Sequence, residues 1–197
     1  MKALFIPFLI LFSLQLQAQN SNNSRNYYRI AISNSHTAKP FGSFSSLFYK
    51  NFHPGAEIGF GKNWKSVKKH QWLYEINLSY LFHRWVQHNL GISMNGGYRH
   101  FIGSSWGAII KLGGGYQVSM PTGKVYRITE NGLIEKGHVL RSQLIASLSL
   151  GADKKINSKG TRIFMEYQQK IQTPFIKEYV PLLPYNNILA GLTIPLH

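Results

Sequence analysis

The chain has no cysteine, few acidic residues and no long apolar run after its N-terminal segment. Because no disulfide can form, burial and backbone pairing alone must hold the fold together. No segment after residue 18 is apolar and uncharged over the roughly 18 residues that a membrane-spanning helix needs, so the later sequence excludes such a helix. Seven acidic residues stand against 22 lysines and arginines, which gives a formal net charge of +15.

The N-terminal segment has the parts of a secretory signal peptide. Lys2 precedes an apolar run over 3–16, and Ala18 precedes the polar stretch 19–24. As a helix this run would reach only about 21 Å, short of the roughly 30 Å hydrocarbon thickness of a bilayer. We therefore expect a cleaved signal peptide at 1–18 and one exported domain at 19–197.

The basic residues of this domain are spread along the chain rather than along one stripe. Two groups surround expected turns: Lys62, Lys65, Lys68 and Lys69, and Lys154, Lys155, Lys159 and Arg162. Export separates the chain from cytoplasmic nucleic acid, so we expect no nucleic-acid partner. The excess positive charge is interpreted as attraction to anionic lipid head groups.

Period-two alternation is the main structural signal of the sequence. Along 70–83, Trp72, Tyr74, Ile76, Leu78, Tyr80 and Phe82 alternate with a more polar set. That alternation is longer than an ordinary globular strand, and a tilted membrane-crossing strand needs about 9–11 residues. The same pattern recurs in seven other segments: 28–32, 56–60, 86–99, 106–119, 140–150, 163–167 and 188–196. We predict an all-β fold, an up-and-down barrel of eight antiparallel transmembrane strands.

Such strands can close with the apolar face inside, as in a soluble lipocalin-like binder, or outside against lipid. Strand length and aromatic position favour the second arrangement, because amphipathic rings near strand ends suit the water–lipid boundary. The aromatic residues predicted at this interface are Trp64, Trp72, Phe82, Trp85 and Trp106. His83 and His88 flank a hairpin and are expected at the outer interface.

The inward phase of the predicted strands carries charges of both signs. The predicted lumen network consists of Arg29, Glu57, Glu75, Arg99, Lys111, Arg141, Glu166 and Lys170. An eight-stranded barrel has a lumen just wide enough for side chains, where charges must pair. We interpret the network as a structural plug, with a gated conduit or a proton-linked site as the alternative.

The connections are expected to alternate in length. Long outer loops are predicted at 34–54, 120–137 and 173–186, with a short hairpin at 84–86 as the exception. The other connections, 63–70, 102–105 and 153–160, are shorter without being tight turns. A protein partner would bind through the three long loops.

No pattern for catalysis, metal or cofactor binding is found in the sequence. The glycines at 96–97 and 113–115 are not followed by the lysine and hydroxyl residue of a phosphate loop, so a structural role is expected. The eight histidines show no helical pairing typical of a metal site. Ser33-Asn34-Ser35-His36 is the closest Ser–His candidate, and no G-x-S-x-G motif occurs. We expect no enzyme and no cofactor.

The signal peptide, the alternating strands, 53–59 (HPGAEIG) and the ending 186–197 (NNILAGLTIPLH) together resemble small eight-stranded outer-membrane β-barrel proteins, especially the Bacteroidota-type outer membrane protein β-barrel domain. The resemblance implies an outer-membrane location, insertion by the barrel assembly machinery, and contact with outer-membrane lipid and lipopolysaccharide. Its members act as structural pins, adhesins, narrow channels or lipid-modifying enzymes.

The end of the chain departs from that family, whose barrels usually close on a terminal aromatic residue. Here the sequence ends in Pro195, Leu196 and His197, and a proline cannot donate to a strand ladder, so the last pairing should end there or lie at an edge. The expected function is non-enzymatic, structural or surface-binding. The alternatives are an outer-leaflet lipid-modifying enzyme and a narrow pore for small solutes.

Overall fold

The computed structural model describes residues 25–37, 47, 52–84, 86–123, 125–129, 132–137, 140–175 and 181–196. The predicted signal peptide at 1–18 lies outside them. In chain order the strands are β1 (Arg25–Thr37), β2 (Pro54–Val67), β3 (His70–His83), β4 (Gln87–Ile102), β5 (Trp106–Pro121), β6 (Val125–Thr129), β7 (Gly132–Lys136), β8 (Arg141–Lys155), β9 (Arg162–Thr173) and β10 (Leu183–Pro195). No helix among the described residues is long and apolar enough to cross a bilayer.

Eight of these strands form a closed antiparallel barrel in the order β1-β10-β9-β8-β5-β4-β3-β2. Each strand pairs with its barrel neighbours along the chain, and β1 closes the sheet by pairing with β10. The last pair of this closing ladder joins Pro195 to Tyr27, and the Leu196 N–H then donates to the Asn26 carbonyl oxygen at 2.8 Å. The backbone bonding therefore passes Pro195 by one bond, although proline itself donates none. The predicted eight-stranded up-and-down barrel is confirmed.

A two-stranded hairpin, β6 paired with β7, lies in the connection between β5 and β8. The outer loop expected at 120–137 therefore contains a strand pair that the apolar–polar alternation does not predict. The signal was present, because Asn131-Gly132 between apolar, β-branched flanks is a strong short-range hairpin pattern. Gly132 has a φ of 110°, which glycine adopts without steric cost.

The two ends of the barrel differ in their connections. At one end, called the turn end, the strands are joined by the connections at 68–69, 103–105 and 156–161. At the other end, called the loop end, they are joined by the connections at 38–53, 84–86, 122–140 and 174–182. The expectation that 63–70 is an open connection was wrong, because β2 continues to Val67. A register shift between Asn63 and Lys65 interrupts the alternation there and hid the strand from pattern reading.

Apolar side chains cover the outside of the barrel and polar side chains fill the inside. Ile32 and Leu112 are 71% and 70% exposed, although both lie within barrel strands. Among the described residues, the buried polar and charged side chains number 25 and the buried hydrophobic ones 10. A water-soluble core has the opposite composition, so this distribution fits an exterior solvated by hydrocarbon.

Candidate functional site

The centre of the lumen is built around Arg29 of β1. Its guanidinium donates from Nη1 and Nη2 to the two carboxylate oxygens of Glu166, both at 2.9 Å, and from Nε to Glu57 Oε1 at 3.1 Å. Its Cζ lies 3.7 Å from the ring centroid of Phe164. A planar fork of donors suits this two-oxygen contact, which also fixes the orientation of both side chains.

Lys111 of β5 is the second cation of this central network. Its Nζ donates to Glu75 Oε2 at 2.9 Å and lies 2.8 Å from Glu166 Oε1. The hydroxyl of Tyr27 donates to the other oxygen of Glu75 at 2.9 Å. The structure therefore brings together five of the eight residues predicted for the lumen network and adds Tyr27, whose neutral side chain the charge pattern did not single out.

Glycines on inward positions make room for these side chains. A Cβ on Gly61 would overlap the ring of Tyr27, one on Gly97 would press on Lys111, and one on Gly151 would press on Glu166. A narrow lumen holds large charged side chains only where the facing strand lacks a side chain of its own. Gly97, one of the glycines noted in the sequence, therefore has the structural role expected of it.

Replacing Gly61 with valine is expected to destabilise the barrel by about 1–3 kcal/mol, because Tyr27 is buried and bonded to Glu75 and cannot move aside freely. Urea unfolding followed by tryptophan fluorescence measures this loss. Gly96→Val is the matched control, since a Cβ there meets nothing within 4 Å. A Tyr27→Ala change combined with Gly61→Val should recover part of the loss, and an equal loss in both glycine variants would contradict this role of Gly61.

A second ionic cluster closes the lumen at the turn end. Arg162 Nη2 donates to Asp153 Oδ1 at 2.7 Å and to the Ser105 carbonyl oxygen at 2.8 Å, and Arg99 Nε lies 2.8 Å from Asp153 Oδ2. Arg99 also donates to Gln71. Arg99 is one of the residues predicted for the lumen, whereas Asp153 falls in the expected connection 153–160 and Arg162 among the basic residues around that turn. Extending the period-two pattern of β8 by three residues, and that of β9 by one, would have placed both inside the lumen.

Between the central network and the loop end lies a cavity of about 20 Å³, with room for about one water. Lys170 and Glu57 line it together with Ser33, Ser79 and Asn187. Lys170 is therefore in the lumen as predicted from its phase, although Arg29 and Lys111 provide the close ion pairs of the neighbouring carboxylates. The polar side chains of the lining suit a bound water, although Leu81 and Leu189 line the same cavity.

A layer of side-chain amides lies on the loop-end side of this cavity. Gln87 donates to Gln172 at 3.0 Å and to the Tyr185 hydroxyl at 2.9 Å, and Gln117 donates to both Gln143 and Gln172. All five side chains are buried. The lumen network predicted from the sequence contains charged residues alone, so it lacks these neutral side chains, although each occupies an inward position.

Three imidazoles lie near the lumen at the loop end. The rings of His53 and His83 stack with centroids 3.7 Å apart, and the His36 ring lies 6.3 Å from that of His53. Burial, and then the neighbouring His36, lower the pKa of His53 below its ordinary value of 6.5. His83 is buried here and not at the outer interface as expected, whereas His88 contacts Tyr80 and Phe82. No group of three or more His, Cys, Asp or Glu residues in the described ranges is arranged to hold a metal ion.

The remaining predicted residues lie at the edges of the barrel. Arg141 is set apart from the ionic network, with its Cζ 5.7 Å from the ring centroid of Phe175 near the loop end. Trp64, Trp72 and Trp106 are about half exposed near the turn end, and Phe82 lies near the loop end. Trp85 lies outside the described residues.

The Ser–His candidate of β1 lies near the loop end of the lumen. Ser35 is buried, and the His36 ring lies 6.3 Å from that of His53. Ser33 lines the lumen cavity.

No family model matches the sequence, and a search of curated proteins finds no significant match. Among solved structures, Neisserial surface protein A (NspA) matches with a TM-score of 0.53 at 6% identity, over 86% of this chain and 96% of that one. Ail, the attachment invasion locus protein of Yersinia pestis, matches with 0.50 at 9% identity, over 88% and 97%. The outer membrane enzyme PagL matches with 0.47 at 13% identity, over 87% and 99%, a likeness too distant to bear on activity. The chain thus has the closed eight-stranded fold found in outer-membrane barrels.

Proposed function

We propose that the protein is a non-enzymatic outer-membrane β-barrel, structural or surface-binding in role, with a lumen blocked by ion pairs. The observation that carries this proposal is the inversion of polarity: apolar side chains cover the outside of the strands and charged side chains fill the inside. Such a surface would aggregate in water and is stable against hydrocarbon. The sequence resemblance alone supports the finer assignment to Bacteroidota-type barrels.

In this proposal the short turns face the periplasm and the loop end faces outward, as in bacterial barrels generally. The connections at 38–53, 122–140 and 174–182, which are the expected outer loops with their ends corrected for the observed strands, would then meet lipopolysaccharide or a protein partner. The β6–β7 hairpin gives the second of these connections a sheet of its own, which suits a binding surface. Insertion would depend on the barrel assembly machinery.

The lumen should pass almost no ionic current. The turn-end cluster, the central network and the amide layer cross it in succession, and the described cavity holds about one water. Recording from the purified barrel in planar bilayers tests this, with folded insertion checked by a heat-sensitive shift in gel mobility. Stable unitary conductance from folded protein would contradict the plug and favour the small-solute pore.

An outer-leaflet lipid-modifying enzyme is the other alternative carried from the sequence. It would need a serine, a histidine and a carboxylate converging at the outer rim. The four carboxylates whose side chains the structure describes, Glu57, Glu75, Asp153 and Glu166, are all buried in the lumen. Comparing outer-membrane lipid from strains with and without the protein separates an enzyme from a structural barrel.

A further inference from the structure

The turn end carries a strong excess of positive charge. The basic residues exposed or half-buried there are Arg25, Lys62, Lys68, Lys69, Lys154, Lys155 and Lys159, and the sequence adds Lys65. The carboxylates with described side chains are buried, and Asp153, the one nearest this end, forms ion pairs with Arg99 and Arg162 inside the lumen. In the sequence, Glu130 and Glu135 fall between β5 and β8, and Glu178 falls between β9 and β10. The basic residues of the turn end therefore face no carboxylate among the described residues.

Two of these lysines continue the apolar exterior of their strands. On β2, Lys62 follows Ile58 and Phe60 in the outward phase and is in register with Tyr74 of β3. On β8, Lys154 follows Leu150 and is in register with Trp106 of β5, whose ring centroid lies 5.2 Å from Lys154 Nζ. Each lysine thus stands at the edge of the apolar surface, beside an aromatic ring.

We propose that the turn end is a binding surface for the head groups of anionic glycerophospholipids. A lysine at the edge of an apolar band keeps its stem along the hydrocarbon and extends its ammonium to the level of the lipid phosphates. The neighbouring Tyr74 and Trp106 suit the same level, where amphipathic rings are enriched.

The position of the basic residues beside the membrane favours lipid head groups as the phosphates that this surface binds. The basic residues lie beside the outward apolar face and the turn-end tryptophans, so the surface they form adjoins the membrane plane. If the short turns face the periplasm, the adjoining leaflet is the one made of glycerophospholipid. The inference rests on the proposed function for this orientation. Basic residues next to a membrane attract anionic lipid over distances of about a Debye length, about 8 Å at physiological ionic strength.

Spin-labelled lipids test the proposal. The mature protein is folded into phosphatidylcholine vesicles containing labelled phosphatidylglycerol, phosphatidylcholine or lipid A, and electron paramagnetic resonance gives the share of each at the protein surface. We expect about a fivefold preference for phosphatidylglycerol over phosphatidylcholine, weakened by salt. The variant Lys62→Gln/Lys68→Gln/Lys154→Gln/Lys155→Gln should reduce the preference to less than about twofold.

A loop-end variant with the same loss of charge is the control: Lys39→Gln/Lys50→Gln/Lys124→Gln/Lys136→Gln should keep the preference. If the quadruple variant does not fold, the double variant Lys62→Gln/Lys154→Gln tests the two lysines that are in register with Tyr74 and Trp106. Folded wild type without a preference, an equal loss in the control, or a preference for lipid A that the turn-end variant removes would overturn the inference. Failure of the wild type to fold into the vesicles would instead count against the proposed function, and gel mobility reports this separately.

Discussion

Replacing Arg29 with methionine is expected to lower the free energy of unfolding by about 3–5 kcal/mol, the largest loss among the variants considered. The methionine roughly keeps the volume and removes the charge that Glu57 and Glu166 contact directly. Lys111 would then be the remaining close cation for Glu75 and Glu166. Carboxylates that are buried without a partner are costly, because the lumen cannot replace the lost donors with bulk water. Urea unfolding of the folded barrel, followed by tryptophan fluorescence, measures the loss.

Two further variants separate the charge of Arg29 from its shape. Arg29→Lys keeps the charge but loses the planar fork on Glu166, so we expect an intermediate loss. Arg29→Met combined with Glu166→Gln removes one charge of each sign and should recover a substantial part of the stability. A double variant as unstable as Arg29→Met would show that packing against Phe164, and not charge balance, explains the effect.

Replacing Leu112 with arginine is expected to cost about 2–4 kcal/mol in a bilayer. Leu112 lies on the outward phase of β5, is 70% exposed and is in register with Gly96 and Leu148, away from both ends of the barrel. At that depth hydrocarbon surrounds the side chain, and a guanidinium is poorly solvated there. In a soluble barrel the same substitution would lie on a wet surface and change stability by less than about 0.5 kcal/mol.

The control for Leu112→Arg lies in a turn. Ile156 is 54% exposed and directly follows β8 at the turn end, so Ile156→Arg should cost no more than about 1 kcal/mol. Equilibrium unfolding from vesicles compares the two variants under one set of conditions. Equal small effects at both positions would show that water, and not lipid, surrounds the middle of β5.

The alternation of apolar and polar residues predicted the barrel because strand period maps directly onto its two faces. Trp72 to Phe82 is the clearest case, and the structure places that stripe outside, with Glu75 and Asn77 inside. The prediction failed where the period shifts, as at the irregularity between Asn63 and Lys65. It also stopped too early on β8, so that Asp153 was assigned to a turn.

The partners within the lumen could not be read from the sequence. The phase places Arg29 and Glu166 inside, but they lie 137 residues apart and on strands separated by β10. Their contact depends on how far the strands are staggered on closure, a property of the whole sheet. The amide layer and the stacked imidazoles depend on the same stagger, and neutral or singly placed residues show no charge pattern that would mark them.

The pairing of the first barrel strand with the last has a consequence for biogenesis. Until β10 is in place, both margins of the unfinished sheet carry backbone amides and carbonyls without partners, which hydrocarbon cannot solvate. A nascent chain therefore gains little from entering the bilayer piecemeal. Its C-terminal segment must arrive before insertion becomes favourable, and the chain has to be kept unfolded and apart from other chains until then.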